Sequence, residues 1–169
     1  EYSMIQRYLS RLPENSRLFV DMNKTNVSLY DAIPGSCTIV EGISPANHLK
    51  SIKNETEIKG FQNAVVKDGV ALTKFYIWLE KQMAEGAQVT EISAAEKLTA
   101  LRAEQPQYIM DSFGTICGYA EHGAIVHYSA TTETDATLKP EGLLLIDSGA
   151  QYLDGTTDIT RTIALGEPT

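Results

Sequence analysis

The run Leu143-Leu144-Leu145-Ile146-Asp147-Ser148-Gly149 sets a carboxylate at the end of an apolar strand, and no other stretch constrains this chain as much. It is followed by Asp154-Gly155, a hairpin signal, and then by Asp158-Ile159-Thr160-Arg161-Thr162. With the turn centred on Asp154-Gly155, position 147 faces 162 and position 158 faces 151. Side chains alternate along a strand, so Asp147 and Asp158 share one face of the ribbon. Two carboxylates on a common face beside an apolar wall are costly unless a cation or a proton separates them. Hard oxygen ligands of this kind suit manganese, magnesium, cobalt or zinc. Spacing alone also admits a plainer reading, in which Asp147 caps a strand and Asp158 pairs with Arg161.

The same centring raises a difficulty. It sets Asp158 across from a position four residues beyond Asp147, roughly 13 Å along the strand. Carboxylates that far apart cannot share ions roughly 4 Å apart. A bulge or a wider turn between Ala150 and Thr157 is therefore expected.

Upstream, the pattern is helical. Asn54 with Glu57 reads as a capping box, and Ile58, Phe61, Val65, Leu72, Phe75, Tyr76 and Leu79 mark one face of a long helix that Gly86 ends. Thr90 caps a second helix with Ile92, Ala95, Leu98 and Leu101 as its stripe, closed by Pro106. Short β segments follow over 123–128, 142–153 and 156–165. Residues 1–45 alternate short helical and strand-like pieces, with strands at Arg17–Asp21 and Cys37–Val40 and a turn at Pro34-Gly35. Such a piece cannot bury an adequate core alone. It reads as the C-terminal remnant of a preceding α/β domain, and Gly42–Asn47 as a hinge. The order helix, helix, strands makes the remainder, 46–169, α+β. The absence of an initiator Met reads as a cut N-terminus.

Composition narrows the chemistry. The chain is 43% hydrophobic with a formal charge of −8, enough apolar content for a core and the wrong sign for a nucleic-acid backbone. No run approaches eighteen apolar residues, so no membrane span is expected. Cys37 and Cys117 stand far apart without a CxxC, which supports neither a disulfide framework nor a zinc knuckle. A reducing, cytoplasmic setting is the default. Ser148 and Ser129 lie in no Gly-x-Ser-x-Gly elbow, so a serine hydrolase is not indicated.

Three stretches carry a wider likeness: Gly123-Ala124-Ile125-Val126-His127-Tyr128, Leu145 to Tyr152, and Asp154 to Thr162. Together with Leu49–Glu57 they resemble the Xaa-Pro aminopeptidases, members of the pita-bread metallopeptidases alongside prolidase, methionine aminopeptidase and creatinase. The resemblance spans roughly residues 45–169 and implies the first half of a pita-bread fold. It implies two divalent metal ions, manganese first with cobalt or zinc also suited, held by Asp147 and by a bridging Asp158. It further implies that one His and two Glu ligands lie beyond residue 169. A fragment without them is expected to be inactive and to hold ions weakly.

His127 matches the substrate-side histidine that hydrogen-bonds peptide and tetrahedral intermediate, on an Ile-Val-His-Tyr strand. His122 reads as a polar loop residue, and Asp154 as a turn former. The implied substrates are peptides with proline at the second position, and a homodimeric parent stays open. Two other readings stay open as well: a metal-less pita-bread module that binds peptides or proteins, and a prolidase-like dipeptidase. Without a covering second half, the sheet face carrying Leu144 and Ile146 is expected to be bare.

Overall fold

Two parallel strands organise the N-terminal residues in the computed structural model, which describes residues 1–166. After a short helix α1 (Ile5–Leu9), β1 (Arg17–Val20) pairs with β2 (Thr38–Glu41), Arg17 opposite Thr38 and Val20 opposite Glu41. A parallel pair needs a crossover, and α2 (Val27–Tyr30) lies in it, with the Asn26 side chain accepting from the Leu29 N–H. The expected hinge over 42–47 is instead the entry to a helix, α3 (Pro45–Ser51). Pro45 suits its first turn, where a missing N–H costs nothing. The chain divides into two compact units, Glu1–Lys53 and Asn54–Thr169, so the division follows α3 rather than residue 45.

The second unit opens on the longest element, α4 (Glu55–Ala84). Its capping box is as the sequence indicates: the Glu57 N–H donates to Asn54 Oδ1 at 2.9 Å, and the Asn54 N–H donates to Glu57 Oε2 at 2.8 Å. Gly86, at φ +67°, follows its end. Thr90 and Ser93 form a second capping box on α5 (Glu91–Ala103).

The buried face of α4 differs from the expected one in its first half. Gly60, Ala64 and Asp68 point inward, while Ile58 and Val65 are exposed. The reason is packing distance: a Cβ on Gly60 would stand 2.2 Å from the Asp154 carbonyl oxygen. Small residues let the helix approach that turn, and hydropathy alone cannot report this. Further along, Leu72, Phe75 and Leu79 are buried as expected.

Two antiparallel sheets complete the unit. In the first, β3 (Tyr108–Asp111), β6 (Ala150–Tyr152) and β7 (Gly155–Thr156) lie in the order β3-β6-β7. In the second, β5 (Leu143–Ser148) lies between β4 (Ile116–Tyr119) and β8 (Ile159–Ala164). Leu144 and Ile146 pack with Phe75, Leu79, Leu98 and Leu101 of the helices to form the core.

Leu144 is fully buried and Ile146 is 2% exposed, so the bare face is not theirs. The more open face is the opposite one, where Leu143 is 53% exposed and Leu145 and Asp147 are half-buried. The helices of the same unit already cover the even-numbered residues. Residues 123–128 also depart from expectation: a 3-10 turn, Ala120–Ala124, replaces the start of the strand, and His127 stands at φ +56°. A left-handed residue cannot continue a β ladder.

Candidate metal centre

Strand β5 places Asp147 with little freedom. Its leucines favour helix intrinsically, but six residues bounded by Gly142 at φ +73° and Gly149 are taken up as the central strand of a sheet. Asp147 is opposite Ile116 on β4 and Thr160 on β8, and is half-buried.

The hairpin resolves the spacing difficulty without the expected bulge. Its two turn residues are Leu153 and Asp154, one position earlier than the sequence signal. Asp147 therefore meets Thr160, Ser148 meets Ile159, and Gln151 meets Thr156, the same register on either side of a break at Gly149. Gly155 serves packing rather than turn geometry, because a Cβ there would crowd Phe61 and Ala64 of α4 at 3.1–3.2 Å. Moving the centre by one residue moves every partner by two. Asp158, just before β8, thereby falls across from Gly149 and diagonal to Asp147. Diagonal neighbours on one face stand roughly 7–8 Å apart at the backbone, within reach of side chains that converge on common ions.

Between the two carboxylates the ladder opens. The Ser112 N–H donates to the Gly149 carbonyl at 3.0 Å and Ser112 Oγ donates to the Thr157 carbonyl at 2.9 Å. The Thr157 N–H donates to Ala150 O at 2.8 Å, and the Ala150 N–H donates to Thr157 Oγ1 at 2.9 Å. Gly149 is the pivot: a Cβ there would stand 2.0 Å from Thr157 O and 2.4 Å from Ser112 Oγ. Gly149→Ala is expected to push these strands apart and cost about 1–3 kcal/mol, the range for overpacking. Chemical denaturation of the variant checks this, and a cost below about 0.5 kcal/mol would show that the contact relaxes freely.

The residues present fit a hard cation. Asp147 Oδ1 is buried and has no hydrogen-bond partner among the described residues, a costly state for a carboxylate oxygen unless something positive completes it. Asp158 is exposed and enters no ion pair among the described residues, so the pairing with Arg161 is not formed; Arg161 donates to the Thr160 carbonyl instead. Among the described residues, no group of three or more His, Cys, Asp or Glu side chains comes together to hold a metal. Cys117 is no substitute, since burial first, and then the charges of Glu91 and Asp135, push its thiol up to about 12. Asp154 takes the turn role read for it, held by Lys67 Nζ at 2.9 and 3.0 Å.

His127 is exposed, on the loop that leaves the Ala120–Ala124 turn. That turn folds back onto the sheet, where Gly123 lies against Gly118 and against Leu145, a residue of the Asp147 face. His122 is not a bland loop residue: its Nδ1 is 2.9 Å from Oε1 of Glu91, which is fully buried. Nothing in the sequence singles Glu91 out, because an acidic residue in a first helical turn is ordinary. Tyr128 likewise has no signal beyond standing next to His127.

The model of metallopeptidase family M24 matches residues 59–169, and that of the creatinase/prolidase N-terminal domain matches residues 1–57. The chain belongs to metallopeptidase family M24. It is 47% identical over 137 residues to an Xaa-Pro aminopeptidase of Drosophila melanogaster, covering 81% of this chain and 22% of that protein. Xaa-Pro aminopeptidase 1 of Dictyostelium discoideum is 41% identical over 172 residues, covering 99% of the chain and 27% of the relative.

A solved X-prolyl aminopeptidase of Caenorhabditis elegans, described as a cytosolic enzyme with a di-nuclear active site, superposes with a TM-score of 0.88 at 31% identity. The match covers 99% of this chain and 28% of that one. The M24 chain thus has part of the pita-bread fold and spans about a quarter of the relatives' length. No helix among the described residues is long and apolar enough to cross a membrane.

Proposed function

We propose that the protein carrying this chain is a dinuclear-metal Xaa-Pro aminopeptidase that cleaves the bond between an N-terminal residue and a following proline. The observation that carries the reading is the buried, unpartnered Oδ1 of Asp147 on the central strand, with Asp158 on the same face one diagonal away. Asp147 and Asp158 are the proposed ligands of two divalent ions, manganese first, then cobalt or zinc. Bound there, such ions activate water and polarise the scissile carbonyl. His127 donates a hydrogen bond to the carbonyl oxygen, more strongly as negative charge builds on it. The proposed substrates are peptides with proline second, and the proposed compartment is the cytoplasm.

A metal-less binding module fits less well, because it would leave Asp147 Oδ1 buried with nothing to satisfy it. The test uses the full-length protein, manganese and an Arg-Pro-Pro peptide, with elemental analysis alongside. Release of the N-terminal residue with two bound ions is expected. Asp147→Asn keeps the shape and removes the charge. It should weaken metal binding by at least about 10–100-fold, the loss that follows from disturbing partners of ligands alone. Full metal occupancy in Asp147→Asn would remove Asp147 from the ligand set. Cleavage of Xaa-Pro dipeptides in preference to the tripeptide would mark a prolidase-like enzyme instead.

A further inference from the structure

Four hydrogen-bond donors converge on one buried carboxylate. Glu91, the first residue of α5, accepts from the Tyr119 N–H at 2.7 Å, the Tyr128 hydroxyl at 2.8 Å and the Ala136 N–H at 3.1 Å. His122 Nδ1 lies 2.9 and 3.1 Å from its two oxygens. A carboxylate is the one side chain of this size that accepts everywhere and donates nowhere, so the set fits Glu and not Gln. It also requires His122 Nδ1 to carry a proton. The rings of His122 and Tyr128 stack at 4.6 Å between centroids, which locks the pair together.

These two residues bracket the loop that carries His127. Inside the bracket, the Ile125 N–H donates to His122 O at 3.1 Å and the Tyr128 N–H donates to Ile125 O at 3.2 Å. His127 itself is held at φ +56°, a backbone state that a non-glycine residue keeps only when its surroundings impose it. The near end of the loop is seated too, since Gly118 and Gly123 approach so closely that a Cβ on Gly118 would stand 3.0 Å from Gly123.

We infer that Glu91 is a positioning residue for His127: its carboxylate clamps both ends of the 122–128 loop and thereby fixes where that imidazole stands. The inference rests on His127 acting on the substrate, as proposed above. Glu91 touches neither substrate nor metal in this scheme.

The test is a double-mutant cycle in the full-length protein, read by steady-state kinetics on Arg-Pro-Pro with manganese and by elemental analysis. Glu91→Gln should lower kcat by about 10–10²-fold, the scale for a misplacement near 1 Å, with KM changed less than about threefold and metal content unchanged. In a His127→Ala background the same change should cost less than about threefold more, because its effect is routed through the missing imidazole. Tyr128→Phe removes one donor and keeps the stacked ring, so it should show a smaller loss, about 3–10-fold, and the same non-additivity. If Glu91→Gln does not fold, the Tyr128→Phe cycle decides.

Nitrogen-15 spectra of the histidines give a reading independent of activity. His122 Nδ1 should be protonated in the native protein and should lose its strongly hydrogen-bonded proton in Glu91→Gln. Losses that multiply with His127→Ala, or an unprotonated Nδ1, would overturn the inference while leaving His127 in its role. Unchanged turnover in His127→Ala would instead overturn the reading of His127 itself, and this inference with it.

Discussion

Replacing His127 by alanine in the full-length protein is expected to lower turnover by about 10²–10³-fold and leave the bound metal in place. The residue stands on an exposed loop rather than on the central strand with Asp147, which suits a donor that meets substrate better than a ligand. A donor aimed at a developing oxyanion contributes more in the transition state than in the ground state, so kcat falls and KM moves little. His127→Asn provides the internal control. Asparagine tolerates the left-handed backbone at this position and keeps a donor, so it should recover part of the rate that alanine loses. Kinetics on an Xaa-Pro peptide together with elemental analysis of each variant decide the matter. Loss of ions from His127→Ala would make the residue a ligand.

What was legible in the sequence follows from how local each determinant is. The capping box at Asn54 and the N-cap at Thr90 were legible because each is written within four residues and satisfied there; that Ser93 answers Thr90 was not. The strand bearing Asp147 was legible from its apolar run. The turn was misplaced by one residue because Asp154-Gly155 is a hairpin signal for backbone reasons, whereas this Gly155 answers to Phe61 and Ala64 of α4. That single step separates the expected bulge or wider turn from the two-residue turn at Leu153 and Asp154.

The inward face of α4 was misread for a related reason: Gly60, Ala64 and Asp68 lie inward because of what they meet, not because they are hydrophobic. The loop at 123–128 resembles a strand by composition, but the backbone is left-handed at His127. Glu91 collects donors from positions 119, 122, 128 and 136, and no local pattern announces a residue whose partners are so scattered.

The largest expected loss of stability lies in the second unit, at Asp68. Its carboxylate accepts two hydrogen bonds from Arg102, Nε at 2.7 Å and Nη2 at 3.0 Å, and a third from the Tyr152 hydroxyl at 3.3 Å. The Arg102 side chain is fully buried and its Nη1 already lacks a partner among the described residues. Asp68→Ala would therefore strand a whole guanidinium out of water. Breaking one side of a buried pair costs about 3–5 kcal/mol, most of it the penalty of the charge left behind. For a chain of this size that lowers the melting temperature by roughly 6–20 °C, at about 2–4 °C per kcal/mol.

The same physics predicts the remedy. Replacing both partners together, Asp68→Leu with Arg102→Met, removes the stranded charge and should recover most of the loss, because an apolar pair of similar volume avoids the desolvation. Urea denaturation of the wild type, the single variant and the double variant checks both halves. A single-variant cost below about 1 kcal/mol would mean that Arg102 finds water or another acceptor. A double variant no better than the single would mean that what Asp68 supplies is the hydrogen bond to Tyr152, which joins α4 to β6, rather than neutralisation of Arg102.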